Sequence, residues 1–173
     1  MKERYDYRNC QSLFGYAQNV HKRSGGICQL CRAGDGKPVN FDLWRQLTVE
    51  HLVGASQGGY INEIRKAIDE RFPNLSKEQR TEMVLRIDEA NTVTACSFCN
   101  ATTSRYRNLQ DMAELISEAK GDPDVVVKEV VLRLKEILQR KRTDVLWKLA
   151  SVRGAFDTMI KPELNKPVYK NPD

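Results

Sequence analysis

Histidine is scarce in this chain: two in 173 residues, His21 and His51. Any chemistry that needs an imidazole must therefore use one of these two. Long apolar runs are lacking as well. No stretch approaches the eighteen or so uninterrupted apolar residues of a membrane-spanning helix, so a membrane protein of that kind is excluded. The opening MKERYDYRNCQ lacks the apolar segment of an export signal, and a cytoplasmic location is the expectation. There are no internal repeats and no low-complexity tract. What is present suits a soluble chain: 40% hydrophobic and 29% charged residues, at a length that fits one domain with appendages or two small domains sharing a core.

The formal net charge is +5, with an isoelectric point near 9.0. That balance makes an anionic partner plausible without naming one. Its distribution says more. Arg133, Lys135, Arg140, Lys141, Arg142, Lys148 and Arg153 face only Glu136 and Asp144 within the segment 133–153; seven minus two equals the excess of the whole chain. Such a run reads either as a solvated helix face or as a surface for phosphates.

Cysteine carries the sharper signal. Four of the five form two pairs, Cys28-Gln-Leu-Cys31 and Cys96-Ser-Phe-Cys99, and Cys10 is left over. An odd count without an export signal argues against a disulfide framework. Two C-x2-C knuckles instead match a tetrahedral thiolate site, each offering two sulfurs from one tight turn. Structural zinc is the expected occupant, and iron suits the same cage.

Periodicity places these knuckles. Residues 11–24 read as a short helix stopped by Gly25-Gly26, with His21 expected near its basic, exposed end. FDLWRQLTVEHLV reads as a short strand ending at Glu50-His51, released by Gly58-Gly59. Residues 60–90 read as an inserted helical hairpin, broken at Pro73-Asn74 and restarted by the capping box SKEQ at Ser76. Thr92-Val93-Thr94 suits a strand, with a helix beginning near Cys99. Residues 108–119 read as a helix capped by Asn108, and Asp122-Pro123 opens another that either breaks at Thr143-Asp144 or runs through. Its stripe Val130, Leu134, Ile137 is expected in the core, with a two-fold homodimer interface as the rival. The terminal KPELNKPVYKNPD is expected to be extended or disordered.

Closing a four-thiolate site makes residues 32–95 a loop tied at both ends, and brings Glu50-His51 toward residues 91–100. Taken alone, His51 reads as a packed strand histidine. In this order, however, Cys28 and Cys31, Glu50-His51, Gly58-Gly59, Asn91, then Cys96, Cys99 and Asn100 resemble the HNH endonucleases, in the branch braced by two knuckles. The likeness covers residues 20 to about 107. It implies an α+β fold, a ββα-metal (His-Me finger) core with a four-cysteine zinc site, embedded in a mostly helical chain. The implied division is a nuclease core over 1–107, carrying the insert at about 60–90, and a helical region over 108–173.

The resemblance implies roles residue by residue. His51 would be the general base that activates water, and Asn91 would fix the loop that orients it. Glu50 and Asn100 would bind a catalytic Mg(II) or Mn(II) ion. The family often has a lysine where this chain has Thr103, leaving Arg105 and Arg107, with Arg140, Lys141 and Arg142, as candidate phosphate contacts on double-stranded DNA. The chemistry asks for the same residue types: a divalent ion offsets charge on phosphorus, hard cations prefer oxygen ligands, and a neutral imidazole accepts a proton. Zinc held by four thiolates has no open position and so cannot be that ion. The implied activity is metal-dependent DNA hydrolysis, most naturally restriction-type, with phage DNA processing and a toxin as neighbouring roles. A non-catalytic, zinc-stabilised DNA-binding module is the alternative, since it needs the cysteines and the bases but not Glu50, His51 and Asn100 together.

Overall fold

Two glycines with left-handed backbone set the first turn. The computed structural model describes residues 16–54, 60–103 and 111–166. Helix α1 (Tyr16–Arg23) stops where Gly25 and Gly26 adopt φ of 62° and 71°, and the Gly26 amide closes the helix on the His21 carbonyl at 2.9 Å. A β-carbon on Gly26 would lie 2.8 Å from Val39, so this turn also needs the close approach that glycine permits. The chain then forms the first knuckle and the short helix α2 (Phe41–Trp44). Those residues were expected to open the strand. The Asn40 side chain accepts from the Leu43 amide at 2.9 Å and caps a helical turn there instead.

Strands β1 (Leu47–His51) and β2 (Thr92–Cys96) pair antiparallel, with Glu50 opposite Val93 and His51 opposite Thr92. Opposed residues share a face, so the two-residue period gives this small sheet two distinct sides. Thr94, opposite Val49, meets α1. Thr48 and Glu50 meet side chains of α5 (Ser97–Thr103), which follows β2 directly, and of α7 (Pro123–Ala155).

Between the strands runs the expected helical hairpin, α3 (Tyr60–Arg71) and α4 (Lys77–Asn91), with both halves of the Ser76/Gln79 capping box formed. Helix α6 (Met112–Glu118) begins later than expected: Asp111 itself is the cap, reciprocated by Glu114, and Asn108 lies outside the described residues. Asp122 caps α7, with Pro123 in its first turn, and α7 passes through Thr143-Asp144 without a break. A π-helical turn (Phe156–Ile160) and α8 (Lys161–Leu164) continue it, so KPEL is helical rather than extended.

The chain is mostly helical around one main apolar core. Ile64, Ile68 and Ile87 of the insert pack with Leu115 and Ile116 of α6 and with Val126, Val130 and Leu134 of α7. This core draws residues from both sides of the expected division near 107. The stripe Val130, Leu134, Ile137 is buried inside the chain, which removes it as a dimer face. A smaller cluster joins Cys28, Leu30, Ala95, Cys99 and Val145. From residue 150 to 166 every position is exposed, and no helix among the described residues is long and apolar enough to cross a membrane. Leu134→Ala should cost about 2–5 kcal/mol in urea unfolding through the cavity it leaves, whereas Leu132→Ala, on the exposed side of α7, should stay within about 0.5 kcal/mol.

Candidate functional site

The two knuckles meet. The sulfurs of Cys28, Cys31, Cys96 and Cys99 all lie within 4.8 Å of one another, the only cluster of its kind among the described residues. Zinc–sulfur bonds of about 2.3 Å in a tetrahedron require sulfur–sulfur edges of roughly 3.8 Å; Cys31 and Cys96 stand 3.9 Å apart. The amides of Cys31 and Cys96 both point at the Cys28 sulfur, at 3.5 and 3.3 Å. Hydrogen bonds from Cys31, Cys96 and Cys99 hold the Cys28 thiol far below its ordinary range, and the same crowding drives Cys99 far above it. One thiolate is thus stabilised by three thiols, but four thiolates cannot share this space without a cation. The donor set suits a thiophilic structural ion such as zinc.

His21 is buried rather than exposed, and works as a fastener. The Thr94 hydroxyl donates to the Val20 carbonyl at 3.2 Å, so His21 Nδ1 is the donor in its 3.0 Å bond to Thr94 Oγ1. Together with Arg23, which donates to the Thr92 carbonyl and hydroxyl, it ties α1 to β2. Neither histidine joins the cysteine cluster.

Asn91 sits at the end of α4, wholly buried, and clamps the chain just beyond His51. Its Oδ1 accepts from the Val53 amide at 2.9 Å, its Nδ2 donates to the Val53 carbonyl at 3.0 Å, and its own carbonyl accepts from Leu52 at 2.9 Å. The side chain acts as one more rung of the ladder that ends at His51–Thr92. His51 is half-buried at the last position of β1. Burial first, and then the charge of Lys141, lower its pKa from 6.5 to about 4, so the imidazole is neutral at physiological pH.

Glu50 is where structure and expectation part. Its carboxylate is buried and receives the Lys141 ammonium at 2.5 Å; the same ammonium donates to the His51 carbonyl at 3.2 Å. Lys141, expected on the surface as a phosphate contact, is only 5% exposed. Arg142 is also turned inward, donating through Nε to the Gln29 carbonyl of the first knuckle at 2.6 Å. Of the three α7 bases expected to meet DNA, Arg140 is the one left exposed. Asn100 donates its Nδ2 to Thr48 Oγ1 at 3.0 Å, while that hydroxyl gives its proton to the Ala95 carbonyl. Thr103 is buried and donates to the Cys99 carbonyl at 2.9 Å, so it takes no lysine-like part. Arg105, Arg107, Gly58 and Gly59 lie outside the described residues.

The site therefore gathers Glu50, His51, Asn91 and Lys141 around one strand end. It contains a neutral imidazole able to accept a proton and a carboxylate already neutralised by an internal cation. The role of Lys141 was the main miss, although the sequence held a signal: it lies four residues from both Ile137 and Val145, on the buried stripe. No family model matches this chain, and neither does any curated protein or solved structure.

The low pKa of His51 has a definite sign in stability. The unfolded imidazole, near 6.5, takes up its proton before the folded one, near 4. Stability linked to neutral His51 is then complete above 6.5 and is lost as pH falls toward 4. Urea denaturation across that window should show the decline in the wild type and a shallower one in His51→Gln. Equal slopes in the two proteins would contradict it.

Proposed function

We propose that this chain is a zinc-stabilised DNA-binding module in which the residues resembling a hydrolytic site act as scaffold. One observation carries this reading: Glu50, the acid that would hold a catalytic divalent ion, is buried against Lys141 at 2.5 Å. Zinc fits the four-sulfur cluster, and its full thiolate coordination leaves it a bracing role. Support for an anionic partner comes from the net charge of +5 and from exposed bases with no acidic partner among the described residues, including Lys22 and Lys37 near the first knuckle and Lys135 and Arg140 on α7. Arg140 lines a shallow groove on α7 together with the exposed Trp147, whose ring could stack on a base, and with the acids Glu136 and Asp144.

A second reading, a hydrolase of the HNH kind on a ββα-metal core, keeps one specific support. The succession β1, β2, α5 is braced by the four thiols, and a neutral His51 stands at the end of β1 beside the Asn91 clamp. Hydrolysis by this route would require Glu50 to exchange Lys141 for a metal ion.

Purified protein should carry one zinc per chain and bind labelled duplex DNA in fluorescence anisotropy, with affinity falling as salt rises. Arg140→Ala should lower the slope of log affinity against log salt by about 1. Supercoiled and linear DNA of varied sequence should remain uncut with Mg(II) or Mn(II). Cutting that disappears in His51→Ala would overturn the module reading in favour of the hydrolase, and discrete fragments would then mark it as sequence-specific.

A further inference from the structure

We propose that Lys141 is the resident cation of the Glu50–His51 site, its ammonium occupying the position a divalent ion would need and closing the site to Mg(II) and Mn(II). This inference rests on the module reading above and names how its hydrolytic-looking site is shut. The ammonium lies 2.5 Å from Glu50 Oε1 and 3.2 Å from the His51 carbonyl, two hard oxygens of the type such ions select. The Glu50 side chain is 6% exposed and that of Lys141 is 5% exposed, so each charge is largely withdrawn from solvent.

Packing keeps the ammonium in place. Lys141 extends the α7 stripe whose neighbours Leu134, Ile137 and Val145 are buried, and the adjacent Arg142 bonds the Gln29 carbonyl. Withdrawing Lys141 would pull at the helix or strand a buried carboxylate, which is costly because a lone charge in a poorly polarisable interior is left unpaired. A divalent ion arriving beside the ammonium would meet repulsion at close range, weakly screened by solvent. Asn100, the second expected ligand, turns its amino group to Thr48 on the strand. Thr48 spends its single proton on the Ala95 carbonyl, so the atom of Asn100 facing it is the amino group. The residues present therefore do not fit the catalytic ion that the family resemblance implies.

The test is a Mn(II) titration of the zinc-loaded full chain, followed by the electron paramagnetic resonance signal of free Mn(II) and by thermal unfolding. Wild type should leave the ion free and show no change in midpoint. Lys141→Met keeps the apolar stem and removes the charge; it should bind one Mn(II) per chain and gain several degrees at millimolar ion. Glu50→Gln/Lys141→Met should lose both effects. Wild-type binding of one Mn(II) that Glu50→Gln abolishes would overturn the proposal, and this comparison needs no lysine variant to fold. A folded Lys141→Met protein indifferent to Mn(II) would overturn it too. DNA affinity is read separately: a chain that binds no duplex but shows this Mn(II) pattern fails the module reading alone, and one that binds both duplex and Mn(II) fails this inference alone.

Discussion

Four sulfurs confined within 4.8 Å are the constraint on which the rest of this molecule hangs. They join a turn after α1 to the junction of β2 and α5, parts of the chain separated by the whole helical insert. A two-stranded sheet of five-residue strands is marginal on its own. Here it is pinned at one end by the cluster, with Cys96 as the last residue of β2, and at the other by the Asn91 side chain. The insert takes part in this, since Asn91 is the last residue of its second helix.

Helix α7 supplies the second tie. Two successive residues perform it: Lys141 reaches Glu50 and the His51 carbonyl on β1, and Arg142 reaches Gln29 in the first knuckle. The same helix buries Val126, Val130 and Leu134 against the insert. A single helix thus registers the thiol-braced sheet against the larger apolar core. A buried ion pair is a poor source of net stability but a strict one, since a misplaced α7 would leave Glu50 charged and unpaired.

Much of this was legible in the residues. The paired cysteines, the Ser76/Gln79 capping box, Gly25-Gly26 and Asp122-Pro123 each dictate a local geometry with few alternatives, and all recur in the structure. Where two local signals compete, reading by residue type falls short. FDLW alternates like a strand, yet Asn40 caps a turn there; both Asn108 and Asp111 can cap, and only Asp111 has its reciprocal glutamate three residues on. The candidate site divided along the same line. Asn91 acts through backbone groups next to it in the ladder, which the strand end and its residue type foretell. The partner of Glu50 lies ninety-one residues away and depends on how α7 docks.

The basic run shows why counting charge is not the same as finding a charged surface. Of its seven members, Lys141 and Arg142 face inward, and Arg133, Lys148 and Arg153 pair with Glu118 and Glu129, Asp144, and Asp157 respectively. Exposed pairs of that kind are worth little and can be traded for phosphates, so they blunt the field without abolishing it. Lys135 and Arg140 remain exposed with no acidic partner among the described residues. A helix that spends most of its charge on its own chain can offer a phosphate backbone only a small footprint. On the proposed reading, a duplex would therefore have to meet the exposed bases Lys22 and Lys37 near the first knuckle as well as those of α7.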